Sequence, residues 1–343
     1  MQIQNGLEPQ EGLPADLKPR ISIITANYNY ANYIEKTIQS VLSQEYKNIE
    51  YIVVDDGSTD NSLDVISKYD EIILISKPNG GQVSAVIEGV KKSSGDIIIF
   101  LDSDDVLYPY ACNNIVDNYD PDVCLYQFKL DIMNTRGEMI GSYPDRPFLT
   151  TDHACHVLRH GAFPSSPTSG NAFSTKHVRR MLSMVGDDLR YFVDGYLIYS
   201  APFLGRITAI DIALGQYLVH GENVSLSAGV NRTSAEKGLR NALWQRSGIV
   251  NALRLSGRDP GFPEDHLTAW YYRYLLILRR CYGVRDIAPN LSDWSVARRA
   301  ARRFLDDPYA NKKQRLLNLV LIGTLMTGIK SLGRRVVPSS NKQ

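Results

Sequence analysis

Cysteine is scarce in this sequence. Cys112, Cys124, Cys155 and Cys281 stand at irregular spacings without a C-x-x-C pair. A chain of 343 residues does not need disulfide staples to hold its core, so the four are read as reduced. Long hydrophobic runs are missing too. The stretch Leu316–Ile329 is apolar for about fourteen positions, where a spanning helix needs roughly 20. The amino-terminal residues have neither a positive n-region nor an apolar h-region, which excludes a secretory signal peptide. Residues 1–19 are therefore read as a flexible lead, and the expected location is cytoplasmic. Internal repeats and low-complexity segments are absent, which excludes a repeat array. Net charge is almost absent as well, at +1.

That balance hides a polarity. Residues 271–343 hold 15 Lys/Arg against 4 Asp/Glu, so the carboxyl-terminal segment is strongly basic and the remainder acidic. Such a segment suits an anionic surface, and a solvated basic helix face accounts for it equally. With 43% hydrophobic and 22% charged residues the chain can bury a sizeable core, as one large or two modest domains.

Four short Ile/Val-rich runs, Ile21–Thr25, Ile49–Val54, Ile72–Ser76 and Ile97–Leu101, have strand length. Between them, Tyr33–Ser43, Asn61–Tyr69 and Gln82–Ser93 have helical periodicity. This β-α alternation predicts a parallel sheet covered by helices, with ligands bound beyond the carboxyl ends of the strands. Residues 110–230 read as mixed, with strands near Val123–Phe128 and Ile207–Ile210 and helices near His153–His160 and Val193–Pro202. From Thr233 onward the pattern is helical.

Polar and acidic residues follow every strand. Asp102-Ser103-Asp104 puts two carboxylates on one side of extended chain. Hard oxygen ligands open to substrate suit Mg²⁺ or Mn²⁺ with a diphosphate completing the shell, and a capped turn is the bland alternative. Asp55 and Asp56 end the second strand, where a carboxylate can accept hydrogen bonds from a base or ribose. Asn79-Gly80-Gly81 precedes a helix, so its backbone N–H groups can approach a phosphate. His153, His156 and His160 would share a helix face, as a zinc set or simply as a wet polar face.

Taken together, Ser22–Asn29, Val53–Asp60, Asn79–Gly89 and Phe100–Asp105 resemble, in order and spacing, the inverting family-2 glycosyltransferases with the GT-A fold. Weaker matches follow at Ser169–Phe173, Val193–Leu197 and Tyr217–Ser225, so the resemblance covers residues 20–227. It implies a Rossmann-like, mostly parallel sheet flanked by helices, with a carboxyl-terminal helical extension. Residues 20–110 would be the nucleotide-sugar half, 111–230 the acceptor half, and 231–343 a basic helical region with a membrane-surface helix over 316–335. Thr25, Asn27, Asp55, Asp56, Asn79, Gly80, Gly81, Gln82, Asp102 and Ser103 would hold the donor. Asp104 and His220 would serve a divalent cation, and Asp194 would be the catalytic base, with Asp187 and Asp188 as alternatives. The implied partners are a nucleotide sugar, UDP-linked by resemblance, and a glycan or lipid-linked acceptor at the inner face of the cytoplasmic membrane, with no role for nucleic acid. Where many relatives carry Arg, this chain has Leu218. The first strand is followed by Thr25–Asn29 without Lys or Arg, which speaks against nucleotidyl transfer, and the motif acids are all present, which speaks against a non-catalytic nucleotide-sugar-binding module.

Overall fold

The computed structural model describes residues 18–186, 193–220, 231–258, 267–307 and 311–327. The first half alternates as the apolar runs predict: β1 (Ile21–Asn27), α1 (Ile34–Leu42), β2 (Ile49–Asp55), α2 (Ser62–Ile66), β3 (Ile73–Ser76), α3 (Gln82–Lys92) and β4 (Ile97–Phe100). The second half contains β5 (Val106–Leu107), α4 (Ala111–Asp117), β6 (Val123–Asn134), β7 (Met139–Tyr143), α5 (His153–His160), β8 (Asn171–Ser174), α6 (Thr175–Leu182), α7 (Val193–Ile198) and β9 (Arg206–Val219). Among the described residues four helices follow: α8 (Arg232–Leu255), α9 (Ala269–Tyr282), α10 (Asp293–Asp306) and α11 (Lys312–Thr327).

All nine strands join one sheet in the order β3-β2-β1-β4-β8-β6-β9-β5, with β7 on β6. The β3-β2-β1-β4 portion is parallel. Beyond it β8 runs antiparallel to both β4 and β6, while β9 returns parallel to β6. Because β2 and β4 lie on opposite sides of β1, the chain reverses its direction of winding there, and the carboxyl ends of β1 and β4 open a crevice between their loops.

Both faces of the parallel strands are covered, which is why they read as continuous apolar runs. Ile21, Ile23, Tyr51, Val53, Ile97 and Ile99 pack with α1 and α4. Ile24, Ile52, Val54, Ile98 and Phe100 pack with α3, α6, α7 and the end of α8. The crossover helix α3 lies close on the sheet because Gly89 has no side chain; a Cβ there would meet Ile24 Cγ2 at 2.5 Å.

A third core joins the first half of α8 to α9, α10 and α11. Side-chain caps start three of these helices: Asn231, Thr268 and Ser292 each accept the backbone N–H three residues on. Since Leu239 belongs to this core and Ile249 to the sheet's, α8 ties the two together. The apolar stretch beginning at Leu316 lies on α11. Leu321, Ile322 and Leu325 are buried there, whereas Leu316, Leu317 and Val320 face outward, more than half exposed. No described helix is long and apolar enough to cross a membrane. Residues 328–335, the end of the expected surface helix, lie outside the described residues. Part of the basic surplus is taken up internally: buried Arg279 donates to the Leu291 and Ile287 carbonyls, and Arg280 donates to Leu325.

Candidate active site

The crevice between β1 and β4 holds a cleft of about 390 Å³. Asn27, Asp56, Asn79, Gly81, Gln82, Asp102, Ser103, Asp104 and Asp194, all singled out in the sequence, line it. Thr25, Asp55, Gly80 and His220 do not, and each has its own structural partners. Thr25 is fully buried, 3.1 Å from the Tyr51 hydroxyl. Asp55, also fully buried, accepts Asn27 Nδ2 at 2.9 Å, the Ser58 backbone N–H at 2.9 Å and the Ser58 hydroxyl at 2.6 Å. It builds the turn that follows β2 and orients Asn27, whose Oδ1 is buried without a hydrogen-bond partner among the described residues.

The glycine loop behaves differently from the expectation of amides open to a phosphate. Gly80 and Gly81 N–H donate to the two oxygens of Asp56, at 2.9 and 2.7 Å, and Lys77 Nζ approaches the first at 2.5 Å. Adjacent strand residues point to opposite sides, so Asp56 turns toward the glycine loop while Asp55 turns into its own turn. A buried carboxylate with three charge-assisted donors is a strong local anchor, and it shapes the cleft wall beside Gln82.

After β4, Asp102, Asp104 and Asp105 separate into two roles. Asp105 is buried, accepts the Ser169 hydroxyl at 2.6 Å and the Leu218 N–H at 3.1 Å, and so latches the loop to the β8 and β9 segments. Leu218 thus contributes its backbone to the site's frame. Asp102 and Asp104 face the cleft. Burial, with the charges of Asp104 and Asp194 added, pushes the Asp102 carboxyl up to about 8. Burial also raises Asp104 and Asp194, although a hydrogen bond from His220 opposes the shift at Asp104. His220 Nε2 lies 2.8 Å from Asp104 Oδ2, and its ring stacks on Tyr33 with centroids 4.5 Å apart. The Thr168 hydroxyl donates to Asp194 at 3.4 Å and lines the cleft beside Asp102.

Besides Asp56, which Lys77 and the glycine loop already hold, Asp102, Asp104 and Asp194 share this confined cleft, and no lysine or arginine is among its described lining residues. Like charges so placed disfavour one another's ionised forms, and a bound cation would relieve that repulsion. Asp104 and His220, 2.8 Å apart, are hard and borderline donors of the kind a divalent cation takes, with a diphosphate and water left to fill its remaining positions. Among the described residues no three His, Cys, Asp or Glu side chains enclose a metal unaided. That excludes the zinc arrangement at His153, His156 and His160, because His153 turns into the core against Phe163, ring centroids 5.0 Å apart. All four cysteines are free, with burial pushing the Cys112 and Cys124 thiols up to about 12.

The sequence reading missed Thr168, Tyr217 and Asn241, which also line the cleft. Asn241 comes from α8, and its Oδ1 is buried without a partner among the described residues. Nothing local marks it; only the packing of α8 on α7 carries it there. Asp187, Asp188 and residues 221–225 lie outside the described residues.

Residues 22–155 match the model of glycosyl transferase family 2. An uncharacterized glycosyltransferase of Nostoc sp. is 37% identical over 217 residues, 61% of this chain and 67% of that protein. The chain belongs to glycosyl transferase family 2. The hyaluronan synthase of Pasteurella multocida is 35% identical to this glycosyltransferase over 169 residues, 46% of the chain but only 17% of the synthase. S. aureus TarS, in a crystal structure with UDP-GlcNAc, shares the GT-A fold at a TM-score of 0.55 and 18% identity, over 92% of this chain and 90% of that one.

Proposed function

We propose that this glycosyltransferase moves a sugar from a nucleoside-diphosphate donor to an acceptor hydroxyl with inversion at C1. The observation that carries this reading is the pairing across one cleft of the Asp102/Asp104 loop with Asp194 on α7. Asn27, Asn79 and Gln82 would border the nucleotide, with Asp56 and Asp55 holding their loops. Asp194 would take the acceptor hydroxyl's proton as that oxygen attacks C1 and the C1–phosphate bond breaks, its electron pair leaving with the nucleoside diphosphate. A single displacement inverts the centre, because no carboxylate nucleophile intervenes. Asp104 and His220 would hold Mg²⁺ or Mn²⁺, with Asp102 beside the donor; when bound, the cation supplies Lewis-acid stabilisation of the leaving diphosphate. The absence of basic residues from the described lining supports this need for a cation.

The UDP-GlcNAc held by S. aureus TarS supports UDP as the donor nucleotide, and the hyaluronan synthase relative supports a surface-polysaccharide or glycolipid acceptor. The exposed Leu316, Leu317 and Val320 beside Lys312 and Lys313 suit peripheral contact with a membrane's cytoplasmic face. The test is release of nucleoside diphosphate from UDP-, GDP- and dTDP-sugars with Mn²⁺ or chelator. Asp194→Asn should lower turnover by about 10²–10⁴-fold while donor binding survives, and Asp104→Ala should lose the metal response. A protein that binds no nucleotide sugar under either condition would sink the proposal.

A further inference from the structure

A second cavity lies on the helical side of the molecule. Arg159 and His160 at the end of α5, Tyr272 on α9, and Arg299, Arg302 and Arg303 on α10 enclose about 700 Å³, with Asp306 the one carboxylate among the described lining residues. Two of the arginines are held in place. Arg303 donates to the Arg159 carbonyl at 2.7 Å, and the Arg299 guanidinium lies 5.9 Å from the centre of the Tyr272 ring. Asp306 offsets little, since its contact with Arg302 is 3.7 Å long between side chains 61% and 84% exposed.

His160 and Arg303 also line a neighbouring groove of about 370 Å³. This groove is walled by aromatic rings, including Tyr143, Phe163, Tyr199 and a half-exposed Trp270. Ser165 lines the groove, and Thr168, three residues on along the chain, lines the cleft that holds Asp194. Tyr199, five residues after Asp194, lies within range of that carboxylate's charge. Aromatic faces suit sugar rings, and clustered guanidinium forks suit carboxylate or phosphate.

We propose that groove and cavity together form the acceptor site, and that the acceptor carries anionic groups, phosphate or carboxylate, seated among Arg159, Arg299, Arg302 and Arg303. This rests on the glycosyl-transfer reading of the neighbouring cleft, but anion binding is measured independently of it. The full-length chain, saturated with UDP and Mg²⁺ to block the donor cleft, is titrated with inorganic triphosphate, tri-galacturonate and neutral maltotriose, and with phosphatidylglycerol vesicles. The expected result is that at least one soluble anion binds more tightly than maltotriose and that Arg299→Gln/Arg302→Gln weakens it by roughly tenfold or more, with UDP affinity unchanged as the check on folding. The triphosphate and tri-galacturonate arms tell phosphate from carboxylate. Equal binding of anionic and neutral probes, an unaffected double variant, or binding to vesicles alone would each overturn the proposal. Failure of the wild-type protein to bind UDP strikes UDP as the donor nucleotide and leaves the anion measurement to stand by itself.

Discussion

Replacing Asp56 separates a structural carboxylate from one that awaits a nucleotide. Its side chain is 2% exposed at the residue level and accepts Lys77 Nζ, Gly80 N–H and Gly81 N–H within 2.9 Å. Asp56→Ala leaves a lysine and two amides without their acceptor. Breaking a buried ion pair costs about 3–5 kcal/mol, and each abandoned buried donor about 1–3 kcal/mol. Lys77 keeps 17% of its side chain in solvent and donates also to the Pro78 carbonyl, so water and that carbonyl recover part of the loss. The net expectation is about 3–4 kcal/mol, a large share of the roughly 5–15 kcal/mol that holds a typical domain. Asp56→Asn, which keeps one acceptor oxygen, should lose about half as much. Urea unfolding followed by fluorescence measures the difference, and a parallel UDP titration measures binding. Combining Asp56→Ala with Lys77→Met should cost less than the sum of the two single changes, because they share one interaction. An Asp56→Ala protein as stable as the wild type but unable to bind UDP would refute this account and place the carboxylate on the nucleotide.

Three further outcomes are expected. Asn241→Ala should leave stability within about 0.5 kcal/mol, since the lost Oδ1 has no described partner, but raise a substrate KM by about tenfold; an unchanged KM would show that the amide does not face substrate. Gly248→Ala drives a Cβ against the Tyr196 carbonyl, 3.1 Å from Tyr196 Cα, and should cost about 1–3 kcal/mol and lower kcat by moving α7 and Asp194; crystallography showing α7 unmoved would count against it. His177 is buried with its Nε2 3.2 Å from the Leu197 carbonyl, and burial lowers it to about 4. Its neutral form is favoured in the fold, so the contribution is fully present above pH ~6.5 and is lost as pH falls toward ~4, by about 3 kcal/mol. His177→Gln should flatten the unfolding free energy across that window, and equal slopes in the two proteins would refute the assignment.

The parallel half of the sheet was legible because strands covered on both faces carry uninterrupted apolar residues, and because β-α alternation admits few topologies. Helix starts were equally plain where the chain supplies the signal: the sequence pattern placed α3 at Gln82 and α5 over His153–His160. Strands β5, β7 and β8 left no such trace. β8 has four residues, and it exists because β4 and β6 both offer it hydrogen-bonding edges. Antiparallel edges of this kind depend on partners far along the chain.

The residues at the strand ends carry the same lesson into the site. Sequence by itself determined that Asn27, Asp56, Asp102 and Asp104 would gather at one sheet edge, because parallel strands joined by right-handed crossovers put their carboxyl ends together. It could not determine which acid of a pair meets solvent. Asp55 and Asp56 diverge, and Asp105 turns inward while Asp104 meets His220, because successive side chains leave a strand end in different directions that acquire meaning only once neighbours occupy them. Thr168 and Asn241 reach the cleft from segments 64 and 137 residues beyond Asp104, and only the packing of α7 against the sheet and of α8 against α7 places them beside it. Local chemistry set the edge where a ligand binds; long-range burial decided which atoms face it.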